Sequence, residues 1–345
     1  MAAPNYPIAA NSWDGVAQAS LPTYDPGYGY VFIPSIWSGK LIEKFYDATV
    51  LAAIANTDYE GEISSYGDKV IIRQKPTITI NDYEAEQALS IERPHSNVVE
   101  LVIDKGKYFN TVLDDVMEIQ SDLNHMNMWA DDASEQMKIN IDGDVLAGIS
   151  ADIFDSADAT AAGWVSGSSG MQGATAGRVS GDIPLGVTTA PITLVPRAPT
   201  AGQVEIIDLI TRLGQALDEA NIPETGRWLL LPAWASAMLK RSELRDASLT
   251  GDGTSLLRNG RLGMIDRFEL YMSNLLPAGT AGGLASGETQ IFAGHSHGLT
   301  FASQMSKVET LRAESTFGTL FRGLQIYGYK VTDGTALATS VIAKP

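Results

Sequence analysis

At 345 residues and 44% apolar content, the chain is long enough for two domains, or one domain with extensions, around a genuine core. With 41 acidic against 24 basic residues its formal charge is −17, which argues against direct binding to a phosphate backbone because that needs a basic patch. The absence of cysteine excludes disulfides, thiolate metal sites and cysteine nucleophiles.

A cytoplasmic origin fits that composition. Residues 1–11 show neither the charged start nor the apolar run of a signal peptide, and no segment approaches the run of about eighteen apolar residues that suggests a membrane span. A soluble protein that is not secreted is expected. Residues 1–34 are rich in Pro, Gly, Tyr and Asn without a sustained period, and read as an extended arm. Ile36, Trp37, Leu41, Ile42 and Phe45 then fit a short helix over 36–46, started by Pro34 and Ser35.

After the turn signal Ser65, Tyr66, Gly67, Asp68 comes a strand over 70–80, with Val70, Ile72, Ile78 and Ile80 on one face and Lys69, Arg73, Lys75, Thr77 and Thr79 on the other. A second strand over 98–103 sets Val99, Leu101 and Ile103 against Val98, Glu100 and Val102. The tract between them, from Asn81, Asp82 and Tyr83 to Glu92, Arg93 and Pro94, is polar, so the pair reads as a protruding hairpin. From Thr111 onward, Val112, Val116, Ile119, Leu123, Met126, Ala130, Ala133, Met137, Ile141 and Val145 recur at helical spacing. A helix there is roughly 55 Å long, with a break at the good N-caps Ser121 and Asp122. Its other face carries Asp114, Asp115, Glu118, Asp122, Asp131, Asp132, Glu135, Asp142 and Asp144 against a single Lys138. An acidic face is most often a solvated face, but here the neighbouring hairpin carries the complementary charge. Such a pair suits a subunit that reaches onto its neighbours.

Residues 150–202 turn abruptly to Ala, Gly, Ser and Thr, and read as an irregular surface insertion with one short strand at 192–195. Thr200 and Gln203 have the spacing of a capping box for a helix carrying Ile206, Leu209, Leu213 and Leu217, stopped by Pro223. The apolar run 228–231, ended by Pro232, predicts a fully buried central strand, followed by a helix over 233–240. Short strands at 268–272, 290–292, 308–311, 324–331 and 337–342 complete an α+β arrangement.

Gly294, His295, Ser296, His297 and Gly298 match the G-x-S-x-G nucleophile elbow after a strand-like run. The hydrolase chain order needs a histidine after the serine's acid partner. None follows His297, and no HGGG-like oxyanion segment precedes the motif. A glycine-bounded turn between strands is the better reading. His295 and His297 have no identifiable third metal ligand, and neither Asp142-Gly143-Asp144 nor Gly251-Asp252-Gly253 has calcium-loop spacing. No glycine loop for a nucleotide is present, so neither catalysis nor a cofactor or metal is expected.

Gly67, Asp68, Lys69 and Val70 at the hairpin start, Leu113-Asp114-Asp115 before the long helix, the run from Gly226 through Arg227, Trp228, Leu229, Leu230 and Leu231 to Pro232, and Gly263-Met264-Ile265 leading to Phe268 and Asn274 follow one another in a telling order. So do Gly328, Tyr329, Lys330, Val331 and then Ala336, Leu337, Ala338. Together they resemble the major capsid proteins of tailed double-stranded DNA bacteriophages, which have the HK97-like fold. The resemblance implies an icosahedral shell subunit in pentamers and hexamers, enclosing the DNA genome without sequence-specific binding. It also implies assembly in the host cytoplasm into a procapsid that matures, with a separate scaffolding protein, a portal and a decoration protein as partners and no membrane.

The implied division is an N-terminal arm (1–34), a peripheral domain with a spine helix (35–57 and 105–200), an extended-loop hairpin (58–104), an axial domain (201–304) and terminal strands returning to the peripheral domain (305–345). Candidate interface residues are Lys69, Arg73, Lys75, Tyr83 and Arg93 on the hairpin, with Lys69, Arg73 and Lys75 facing Asp114, Asp115, Asp131, Asp132 or Glu135 of the next subunit. An encapsulin-type compartment, a tail or decoration protein, and a serine hydrolase using Ser296 are the alternatives.

Overall fold

A computed structural model describes residues 46–47, 49–59, 69–73, 76, 78–83, 85, 87–94, 98–115, 125–153, 183–242, 263–279, 284–314 and 316–345. The chain divides into units Met1–Lys44 and Phe45–Pro345, and every described residue belongs to the second. The expected arm, nearly all of the 36–46 helix, the 65–68 turn, Lys75, the break at Ser121 and Asp122, and the glycine-rich centre of the 150–202 insertion lie outside the described residues.

A four-residue helix, α1 (Leu51–Ile54), precedes the hairpin. Alternation of Val70 and Ile72 with Lys69, Ile71 and Arg73 makes β1 (Lys69–Arg73), which pairs antiparallel with β2 (Val98–Val102) in the register Val70↔Leu101 and Ile72↔Val99. Val70 and Ile72 turn inward onto Leu101, Ile103 and Ala302. The hairpin is present, but its first strand is shorter than 70–80. Pro76 has no N–H to offer a ladder, and residues 78–83 form no strand. Ile78 and Ile80, expected on the inward face, are exposed.

The largest departure is at 105–114. A helix was expected from Thr111, but the chain forms β3 (Lys105–Asp114), paired antiparallel with residues 318–327 in the register Thr111↔Phe321. Tyr108, Phe109, Thr111 and Val112 are aromatic or β-branched and suit a pleated surface. Phe109 lies against Phe321 with ring centroids 5.1 Å apart, in space that a side chain at Gly323 would fill. The long helix, α2 (His125–Ile153), has 29 residues, about 44 Å at 1.5 Å per residue. Only its C-terminal half is buried, through Ile141, Val145, Leu146 and Ile149.

The following elements match the sequence reading more closely. β4 (Ile192–Val195) is the strand expected in the insertion. Thr200 and Gln203 do bond to each other, the Thr200 hydroxyl donating to Gln203 Oε1 at 2.8 Å, but they close a turn ahead of β5 (Gln203–Glu205). The helix, α3 (Ile206–Glu219), starts three residues after Gln203 with Glu205 at its cap. The capping-box spacing was therefore right for a turn and wrong for the helix start. Ile206, Leu209, Ile210, Leu213 and Leu217 are buried along one stripe of α3. Each buried Ile or Leu stabilises by roughly 1.5–3 kcal/mol, which outweighs the exposed Asp208–Arg212 pair at 2.6 Å, a matter of a few tenths.

Next come β6 (Arg227–Leu231), α4 (Ala233–Leu239), β7 (Met264–Ile265), β8 (Phe268–Met272) and β9 (Glu288–His295). A 3-10 turn, Ser296–Gly298, leads into β10 (Leu299–Arg312); then β11 (Gly318–Val331), a second 3-10 turn, Gly334–Ala336, and β12 (Leu337–Ala343) complete the chain. A mixed seven-stranded sheet has the order β5-β4-β12-β9-β6-β8-β7, and a three-stranded sheet has the order β10-β11-β3. β6 is buried along its whole length, flanked by β8 in parallel and β9 antiparallel, as its unbroken apolar run requires. One core joins α1, the buried half of α2, α3, α4 and the seven-stranded sheet, with Leu299, Tyr327 and Val331 anchoring the root of the three-stranded sheet in it.

Candidate intersubunit surface

The outward face of the hairpin is set by strand alternation. Lys69, Ile71 and Arg73 of β1 and Val98, Glu100 and Val102 of β2 all point away from the cluster beneath. Lys69 pairs with Glu100 across the two strands at 3.2 Å, while Arg73 has no ion pair among the described residues. Beyond β1 the apolar side chains lie open: Ile80 is 89% and Ile91 92% exposed, and Ile78, Tyr83 and Leu89 are exposed with them. The two arms of this tract are tied together by Thr79, whose N–H and hydroxyl both donate to the Glu92 carboxylate at 3.1 and 3.3 Å. Arg93 is exposed beside that tie. The tract read as polar is therefore studded with uncovered Ile, Leu and Tyr. The signal was there in Ile80, Leu89 and Ile91, isolated among charged residues where no period marked them.

The acidic candidates do not share one face. Asp114 ends β3 and Asp115 follows it; Asp115 pairs with Arg312, its Oδ1 accepting from Nη1 at 3.0 Å, while its N–H donates to the Phe317 carbonyl. Asp131, Asp132 and Glu135 lie on the first half of α2, where Asp132 accepts from the Tyr46 hydroxyl at 2.9 Å and Glu135 pairs with Lys138 at 2.7 Å. Lys69, Asp115, Asp132 and Glu135 thus have partners within their own chain.

Asp142, expected on the solvated face, is buried. Its Oδ2 accepts the backbone N–H groups of Val50 at 2.6 Å and Leu51 at 3.3 Å, fastening the start of α1 to α2. Burial raises its pKa, and the two N–H groups pull it back down. Two residues on, Asp144 accepts from the Tyr327 hydroxyl at 2.7 Å and pairs with Lys105 at 3.6 Å. Burial, then that bond, pushes the Tyr327 phenol upward. Lys105 also lies 4.9 Å from the Tyr329 ring centre, and Tyr329's hydroxyl fills the space a side chain at Gly148 would need. These contacts fix α2 against β3 and β11. Beside them a groove of about 250 Å³ opens among Leu51, Ala52, Ala55, Ile141 and Phe301, with Lys138 and Asp142 at its edge.

Ser296 sits in a 3-10 turn between two strands. A nucleophile elbow runs from strand to helix, so the motif lacks that context. No metal-ready group of His, Asp and Glu occurs among the described residues, and no described helix is long and apolar enough to cross a membrane.

A model of the family described as phage capsid protein matches residues 99–340. No curated protein matches the chain. Among solved structures, one described as Mycobacterium phage Che8 superposes with a TM-score of 0.66 at 24% identity, covering 90% of this chain and 97% of that one. The capsid of the cyanophage P-SCSP1u gives 0.65 at 15% identity, covering 92% and 95%. The capsid of a native GTA particle gives 0.61 at 14%, covering 94% and 100%.

Proposed function

The chain belongs to the phage capsid protein family, and we propose that its exposed hairpin is the element by which one copy grips the next. The fold is α+β and HK97-like, and the protein is a structural subunit of an icosahedral phage capsid, present in many copies. The match over residues 99–340 carries that conclusion, since it takes in α2 and nearly all of both sheets. The finer reading is that pentamers and hexamers of this subunit enclose double-stranded DNA without sequence-specific binding, in keeping with the charge of −17. Assembly takes place in the host cytoplasm around a separate scaffolding protein, with a portal and a decoration protein joining the shell, and the subunit performs no catalysis. In this reading the subunit divides into arm (1–34), peripheral domain (35–57 and 105–200), hairpin (58–104), axial domain (201–304) and terminal strands (305–345).

At the interface, Lys69, Arg73, Lys75, Tyr83 and Arg93 of one copy meet Asp114, Asp115, Asp131, Asp132 and Glu135 of its neighbour. Each exposed ion pair contributes about 0–1 kcal/mol. Each Ile or Leu that passes from exposed to buried contributes roughly 1.5–3 kcal/mol. Ile78, Ile80, Leu89 and Ile91 therefore supply most of the affinity, and the charges set register. Negative-stain electron microscopy with light scattering on the expressed chain, alone and with its scaffold, is expected to show closed particles of uniform size. A stable monomer or small oligomer under both conditions would overturn the assignment.

A further inference from the structure

The chain passes between the two sheets at two neighbouring points, from β9 into β10 through Ser296–Gly298 and from β11 into β12 through Gly334–Ala336. The two crossings are bonded to each other. Thr332 N–H donates to the Gly298 carbonyl at 2.9 Å, and the Thr332 hydroxyl donates to the His297 carbonyl at 2.7 Å. A side chain at Gly298 would strike Leu337 and Ala336, so only glycine lets the strands come this close.

His295, the last residue of β9, holds the first crossing shut. Its Nδ1 accepts the His297 N–H at 3.1 Å. The ring also hydrogen-bonds the Thr225 backbone, and its Nε2 lies beside Gly226, whose φ of +76° brings that loop in close. With Nδ1 accepting, Nε2 carries the proton and donates to the Thr225 carbonyl, so both ring nitrogens are committed in the neutral tautomer.

We propose that His295 is an acid-sensitive latch: neutral, it closes the Ser296–Gly298 turn against Thr332, and protonated, it releases that turn and loosens the crossing between the sheets. A proton on Nδ1 replaces an acceptor with a donor that faces the His297 N–H. The charged and titratable groups facing the ring are His297, from the turn, and Arg227, opposite it on β6. Neither welcomes a cation. Of the carboxylates around this network, Asp218 is taken by Arg227 and Arg267 at 2.7 Å each, Glu224, next to Thr225, pairs with Arg267 at 2.8 Å, and Asp333, beside Thr332, accepts from the Thr335 N–H and hydroxyl at 3.0 and 2.6 Å. Burial first, then these neighbours, lowers the His295 pKa from its ordinary 6.5, against the Thr225 bond that raises it. The latch's contribution is therefore whole above that value and is lost as pH falls through the folded pKa.

Hydrogen–deuterium exchange on the full chain, free and in particles, tests this at about pH 7.5 and about pH 5 after correction for intrinsic rates. Peptides covering residues 295–299 and 331–336 are expected to lose about fivefold protection in acid while β6 keeps its own. His295→Gln keeps an acceptor for the His297 N–H but takes up no proton, and is expected to stay protected at the lower pH. Equal protection of wild type at both pH values, or a glutamine variant that opens in acid as wild type does, would overturn the latch. Should that variant not fold, the wild-type titration decides: a midpoint below about 6.5 but above the carboxylate range supports His295, and one near 4 overturns it.

Discussion

Asp142 shows how one buried side chain sets a local agenda. It is 5% exposed, and two backbone N–H groups point at its carboxylate, favouring the charged form against the cost of burial. Its folded pKa is raised above the ordinary 3.8. A raised carboxylate contributes stability that is present below the unfolded value and lost as pH rises through the folded one. Asp142→Asn, which keeps a carbonyl oxygen for α1, is therefore expected to gain on wild type between about pH 3.5 and neutrality, by within about 1 kcal/mol. Urea denaturation at the two pH values checks this, and a difference that does not change with pH would contradict it. Arg227 is the opposite case. Its guanidinium is buried, yet it donates to the carbonyls of Pro223 and Ile222 at 2.8 and 2.6 Å and meets Asp218 at 2.7 Å, a fork that a lysine could not reproduce. No spacing in the sequence marks either residue as buried. Each looks like one more surface charge until the chain folds over it.

Among the elements, legibility followed burial on both sides. β6 and the buried stripe of α3 were readable because an unbroken apolar run and a clean three-and-four spacing each admit one environment. Residues 111–114 misled because Val112 shares helical spacing with Val116 in the sequence, while its partner in the fold, Leu320, is more than two hundred residues away. Only that distant pairing makes Phe109 and Leu113 an inward face. The same limit explains α2, whose apolar positions look alike along its length although the core is met only from Met137 onward among its described side chains. Leu146→Ala is expected to cost about 2–5 kcal/mol, and Met126→Ala, on the partly covered half, under about 1 kcal/mol. Chemical denaturation of the unassembled subunit separates them. Equal losses would mean that the first half of α2 is packed as well as the second.

For the whole molecule, the interface candidates were half legible. Charge on Lys69 and Arg73 could be read from the sequence, but the apolar residues around the hairpin tip became conspicuous only once nothing in the subunit covered them. The two contributions can be told apart. Ile80→Asp with Ile91→Asp is expected to leave the subunit folded and abolish particles, removing roughly 1.5–3 kcal/mol of apolar burial per side chain. Arg73→Glu with Lys75→Glu is expected to slow assembly and change its salt dependence while particles still form. Sedimentation of assembly mixtures at two ionic strengths reads both, and intact particles from the isoleucine pair would refute the apolar grip.

The place of β12 has a consequence for how such a chain comes into being. Residues 337–343 lie between β4 and β9 in the middle of the seven-stranded sheet, so until they are made the sheet is two pieces, each with an unpaired inner edge. Domains generally form from the N-terminus during synthesis, but here translation must run through residue 343 before the gap can close. The nascent chain meanwhile exposes the open backbone that invites pairing with another chain. A protein made in many copies at once would need that interval to be short or guarded, and a ribosome stalled before residue 337 would leave behind a sticky product in place of a nearly finished one.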